Sequence, residues 1–379
     1  MKKPIYFLIS STFILIQTYA QKEKDLINLE AGYMGDFLYN LDGGIKTGFT
    51  YMGIIDLGVG FETQKAGLWQ DGELFLHLEN THGGSGSGSF IGDMQIASNI
   101  DNGNYTYLYE LWYKQGIGPV TLQAGVMDMN AEYYGSENAG NFINSSFGIQ
   151  PTASLNNPVP IFPINALGLH VKYEINDKIG IQAGVWDGDP GGFEDDLYNL
   201  DYTISEEEGF QFVGEFLYSN EDWGGTYKLG GYYHSADFED FSDTGNVVSG
   251  NYEVHIIADQ LLISEGDDQG LGSFIQLGWT PSKQNMNTLF IGYGLVYTGL
   301  VPGRDADITG LAIGYAGIGK DYINANPGSK KHETIIELAY NATFNDNIFI
   351  QPDIQYIIHP GIGDLNNAFV GIFRYGIIF

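Results

Sequence analysis
Apolar and polar positions alternate with a period of two along most of this chain. In "GELFLHLEN" (72–80), Leu74, Leu76 and Leu78 share one face, while Glu73, His77 and Glu79 share the other with Phe75. In "YTYLYELWYK" (105–114), Tyr105, Tyr107, Tyr109, Leu111 and Tyr113 alternate with Glu110, Trp112 and Lys114. In "LGLHVKYEI" (167–175), Leu167, Leu169, Val171, Tyr173 and Ile175 stand against His170, Lys172 and Glu174. Segments of this kind, about ten residues each, recur between turns rich in Gly, Asn and Asp. They predict strands over 30–40, 46–62, 72–80, 105–116, 119–128, 166–175, 179–187 and 210–218. A second set follows over 226–235, 251–264, 270–280, 287–298, 308–318, 332–343, 347–358 and 367–379.

About sixteen strands with one apolar and one charged face are poorly suited to a dry core, because burying an unpaired ion is costly. They suit a sheet closed around water with its apolar face in lipid, and the even number is the one single-chain bacterial barrels adopt. The predicted fold is therefore all-β: a transmembrane antiparallel β-barrel with an inward-folded constriction loop. Connections alternate as such a barrel requires. Gly118, 176–178 and 344–346 are tight, whereas 81–104, 130–165, 188–209, 236–250 and 319–331 are long. The last strand agrees, since Phe369, Phe373, Tyr375, Ile377 and the terminal Phe379 fall on one face and Arg374 on the other. The longest loop, 130–165, carries Pro151, Pro158, Pro160 and Pro163 with five aromatics, and is expected to fold inward and narrow the pore.

Composition sharpens this picture. The first 20 residues hold Lys2 and Lys3, an apolar run from Ile5 to Ile16, and small residues at Thr18 and Ala20, so a signal peptide cleaved after Ala20 is predicted, with the barrel domain over 21–379. Beyond it no apolar run is long enough for a spanning helix, yet 26 Tyr and 23 Phe are available for interfacial belts. Cysteine is absent, which excludes disulfides and thiol chemistry. The formal net charge is −31 and becomes −33 once Lys2 and Lys3 are removed, which excludes a nucleic-acid partner and favours cations.

Six stretches, in order, carry a resemblance: "FINSSFG" (142–148), "GVWDGDP" (184–190), "GGYYHS" (230–235), "GLVPGRDAD" (299–307), "ETIIELAY" (333–340) and "IQPDIQYIIHPG" (350–361). Together they resemble the landmarks of the carbohydrate-selective porin family (OprB type). The resemblance implies a sixteen-stranded outer-membrane barrel that passes sugars by diffusion, with an inward loop, pore-lining charged and aromatic residues, and Arg at the constriction. The chain departs from that pattern in having only two Arg, Arg304 and Arg374. Arg304, in "PGRDAD", reads as an ion pair inside a turn; Arg374 faces inward among carboxylates.

Sugar recognition needs flat aromatic faces and polar groups for hydroxyls. Tyr133, Tyr134, Trp112 and Trp186 are the candidate faces; Glu110, Lys114, Asn130 and Glu132 are the candidate hydrogen-bonding groups, with Glu73, His77, Glu79 and Arg374 also lining the pore. No catalytic residue, cofactor or metal is expected. "GYAGIGKD" (314–321) has phosphate-loop spacing, but Asp321 stands where Ser or Thr is needed and no helix is predicted to follow. His234, Ser235 and Asp237 suggest a hydrolase, but adjacent strand residues point apart. The acidic runs at 205–208 and 237–243 lack the ligand spacing of a calcium loop. The expectation is an outer-membrane porin for small, monosaccharide-sized carbohydrates, in contact with outer-membrane lipid and lipopolysaccharide. A homo-oligomer stays open. The alternatives are a general cation-favouring porin and a barrel acting as a surface binding protein.

Overall fold
The computed structural model of the protein describes residues 26–205, 207–266 and 269–379; the predicted signal peptide lies outside them. Eight strands form the first half: β1 (Ile27–Gly44), β2 (Gly48–Glu62), β3 (Gly72–Gly83), β4 (Tyr105–Ile117), β5 (Val120–Met127), β6 (Ala166–Asn176), β7 (Ile179–Asp187) and β8 (Phe210–Asn220). Eight more follow: β9 (Gly225–Glu239), β10 (Val247–Gly266), β11 (Gln269–Trp279), β12 (Asn287–Thr298), β13 (Ile308–Ile318), β14 (His332–Asn345), β15 (Ile348–Ile358) and β16 (Asn366–Ile378). Each pairs antiparallel with its sequence neighbours, and β1 pairs with β16, closing a sixteen-stranded barrel. Closure leaves no unpaired edge, the condition for a sheet to sit in lipid. The C-terminal strand is tied down by this seam, where the Phe379 amide donates to the Ala31 carbonyl at 2.9 Å.

The two faces separate as the alternation requires. Leu57, Leu74, Phe216, Leu229, Ile256 and Leu338 lie exposed on the outside. Exposed aromatics ring both ends: Tyr39, Phe49, Tyr233 and Trp279 at the end bearing the long loops, and Trp69, Tyr173, Trp223 and Phe344 at the other. These are the positions of interfacial belts. Inside, the loops 84–104 and 128–165 pack on the wall, so the apolar core lies within the lumen. Ile91, Ala97, Ile100 and Ile143 from the loops meet Leu38, Ile54, Ile335, Ile357 and Val370 from the wall.

Three expectations need correcting. The loop placed at 236–250 shrinks to 240–246, because β9 and β10 stay paired out to Glu239 and Val247. Tyr107 and Tyr109 do not lie on the lipid face. The β3–β4 register runs from His77↔Glu110 to Leu78↔Leu108, so Tyr109 is an inserted bulge residue and the alternation breaks there. A short helix, Lys320–Ala325, does follow "GYAGIG", but residues up to Ile318 belong to the β13 ladder and form no phosphate-cradling loop.

Candidate functional site
The loop from 128 to 165 crosses the lumen from β5 to the opposite wall as a series of single helical turns. Asp128 caps the first, Met129–Glu132, and Asn144 caps Ser145–Gly148, each side chain accepting a backbone N–H two residues on. Wall glycines give the loop room. A side chain at Gly278 would stand 2.1 Å from Thr152 Oγ1, and one at Gly310 would stand 2.6 Å from the Phe142 ring. Strand carboxylates then hold the loop by its backbone. Glu337 accepts from the amides of Ile143 (2.6 Å) and Asn144 (3.2 Å), Asp259 from Ser136 Oγ (2.7 Å) and the Asn138 amide (3.0 Å), and Glu215 from the Tyr134 amide (2.8 Å). These bonds satisfy amides that have no ladder partner.

The loop from 84 to 104 is held the same way. Glu333 accepts from the amides of Met94 (3.0 Å), Gln95 (3.0 Å) and Gly361 (2.6 Å). Arg374 forms a two-pronged pair with Asp36, Nε–Oδ1 at 2.7 Å and Nη2–Oδ2 at 2.8 Å, and reaches Asn99 Oδ1 at 2.7 Å. Its guanidinium is buried between wall and loop, so it faces no solute. Asp93, within the same loop, is pushed up to about 6 by burial, which outweighs hydrogen bonding from Ser87. Arg304 pairs with Asp307 inside the β12–β13 turn at 2.7 Å, as expected.

The predicted site residues divide by exposure. Tyr133, Tyr134 and Trp186 are fully buried in one loop-to-wall cluster, and the Trp112 ring is covered by Phe75 and by the Lys114 ammonium at 4.7 Å. Their faces are closed to a sugar because the loop seats on them. Asn130 is spent on the carbonyls of Tyr133 (3.0 Å) and Gly148 (3.2 Å). His77, Glu79 and Glu110 gather, buried, on the β3–β4 wall. Glu73, Lys114 and Glu132 keep about a quarter of their side-chain surface open, with Glu73 and Lys114 paired at 3.1 Å. Asp56 was not singled out in the sequence. The β2–β3 register puts it directly opposite Glu79, a cross-strand relation that no local pattern reveals.

A closed sixteen-strand barrel with a lipid-facing apolar belt, a charged inner wall and two loops clamped within the lumen is an outer-membrane diffusion channel of the porin class. The family model for "Carbohydrate-selective porin, OprB family" matches residues 46–379, and the chain belongs to that family. It is 25% identical to Porin B of Pseudomonas aeruginosa over 92% of this chain and 86% of the relative. It is 23% identical to the putative porin QuiX of Acinetobacter baylyi over 92% and 88%. Among solved structures, the high-pH structure of Pseudomonas putida OprB superposes with a TM-score of 0.86 at 22% identity, over 93% of this chain and 94% of that one. The outer membrane channel DcaP of Acinetobacter baumannii gives 0.58 at 10% identity, over 93% and 97%.

Proposed function
We propose that the protein admits monosaccharide-sized carbohydrates across the outer membrane by passive diffusion, after export under a signal peptide cleaved at Ala20. The observation that carries this reading is the loop from 128 to 165, clamped across the lumen of a barrel whose family is carbohydrate-selective. A constriction with fixed walls selects by radius and by the polarity of its lining. Glu73, Lys114 and Glu132 are the predicted lining groups that keep solvent contact, and they offer both donors and acceptors to a sugar hydroxyl. The covered rings of Tyr133, Tyr134, Trp112 and Trp186 take no part in this selection.

The test is liposome swelling with the purified protein in isotonic glucose, a disaccharide, an uncharged amino acid and a charged solute of matched size. Faster uptake of the monosaccharide than of size-matched non-sugars is the expected result. Rates that follow size and charge alone would make the protein a general porin. Absence of swelling would point to a closed barrel that binds rather than conducts.

A further inference from the structure
Beyond sugar passage, one cluster on the lumen wall has a donor set that the loops do not use. His77 and Glu79 are two residues apart on β3 and so share its inward face, and Glu79 stands opposite Asp56 on β2. His77 stands opposite Gly58, which has no side chain, so its imidazole lies diagonally toward Asp56. His77 Nε2 is 3.5 Å from Asp56 Oδ1 and 3.9 Å from Glu79 Oε1, and one donor atom from each residue lies within 4.8 Å of the other two. A tetrahedral ion with bonds of about 2.0–2.2 Å needs ligand atoms about 3.3–3.6 Å apart, so the His77–Asp56 spacing matches and the His77–Glu79 spacing is somewhat wider.

The surroundings are arranged as for ligands. Asp56 is 2% exposed, and its Oδ1, the atom turned toward His77, accepts no hydrogen bond among the described residues. Glu79 gives its other oxygen, Oε2, to the Tyr107 hydroxyl at 2.6 Å, which leaves Oε1 for the cluster. On the far side of the imidazole, Nδ1 lies 3.7 Å from Glu110 Oε2, and Glu110 is itself fixed by the Asp128 amide at 3.1 Å. A carboxylate behind the remote ring nitrogen sets the tautomer that presents Nε2 to a metal.

We propose that Asp56, His77 and Glu79 bind one divalent transition-metal ion of the Zn²⁺ class. One imidazole and two carboxylates leave a fourth position for water, and the mixed donor set prefers Zn²⁺ over Ca²⁺ or Mg²⁺, which take oxygen ligands and larger shells. The ion pins β2 to β3 on the wall that faces the loop from 128 to 165.

The experiment uses the full barrel in detergent, stripped with chelator and dialysed against Zn²⁺, with bound metal read by elemental analysis and coordination by visible absorption after Co²⁺ loading. One ion per chain and a tetrahedral Co²⁺ spectrum are expected in the wild type. Both should be lost in His77→Gln and in Asp56→Asn, while Glu110→Gln, acting through the imidazole, weakens binding by roughly tenfold. Heat-modifiable migration on gels confirms that each variant remains a barrel, and either ligand variant suffices. The proposal is overturned by absence of retained Zn²⁺, by retention unchanged in both ligand variants, or by Ca²⁺ displacing Zn²⁺ at equal concentration.

Discussion
Two walls of one lumen each set buried carboxylates around a histidine, His255 on one and His77 on the other, but use them differently toward the loops. On β8, β10 and β14, Glu215, Glu253, Asp259, Glu333 and Glu337 are buried, and each accepts hydrogen bonds from the loops. On β2 to β4, Asp56, Glu79 and Glu110 are equally buried but surround a histidine and tyrosine hydroxyls. The first wall is a clamp for loop amides and hydroxyls, with Glu215 and Glu253 also flanking His255 at 3.0 and 3.3 Å. The second gathers three carboxylates around His77 and, among the described residues, gives the loops only one main-chain acceptor, Glu110, which takes the Asp128 amide at 3.1 Å. A large negative formal charge is therefore no direct measure of the field a solute meets, because much of it is consumed in holding loops inside the barrel.

The largest effect is expected where the clamp relies on a full ion pair. Arg374→Ala strands the Asp36 carboxylate, and breaking a buried pair by removing one partner costs about 3–5 kcal/mol. Denaturant unfolding in detergent should register it, with faster amide exchange throughout 84–104. Next comes Glu333→Ala, which leaves the amides of Met94, Gln95 and Gly361 without their acceptor. Water entering the vacated space can serve the part-buried Met94 and Gly361 amides, so the net cost is that of about one buried unsatisfied group, about 1–3 kcal/mol, and Glu333→Gln should recover part of it by keeping an acceptor oxygen.

A subtler difference lies in pH. Asp93 is held up at about 6 when folded, against the ordinary aspartate range when its loop opens. The folded form therefore binds the proton more tightly, and this contribution is complete below the unfolded pKa and lost as pH rises through about 6. Exchange in 84–104 should be slower at pH ~5 than at pH ~7.5 after correction for intrinsic rates, and Asp93→Asn should flatten the contrast. The smallest effect on stability is expected at the open pair, where Glu73→Gln should change it by less than about 1 kcal/mol. The same change should make the channel less favourable to cations, measurable as a shift in reversal potential across a salt gradient.

Much of the barrel was legible from alternation alone, because a period of two with charge on one face has few other solutions. The strand count and the inward course of the long loop follow from that pattern and from loop lengths. What stayed hidden lies in relations across strands. The bulge at Tyr109 moves two tyrosines from lipid to lumen, and a one-residue insertion leaves no mark in composition. Arg374 was placed inward by parity, but its partner Asp36 is 338 residues away and meets it only across the β1–β16 seam. The aromatics of the long loop were legible as ordered. Their use as packing against His170, Trp186 and His255 depends on where the loop seats.

The most direct measurement is single-channel conductance of the wild type beside a Glu333→Ala, Glu337→Ala double variant confirmed as a barrel by gel migration. If wall carboxylates hold the loops that narrow the channel, the variant will show a larger and noisier unit conductance, and its liposomes will lose preference between a monosaccharide and a disaccharide. Unchanged conductance and unchanged preference would contradict the account and place the constriction elsewhere on the wall.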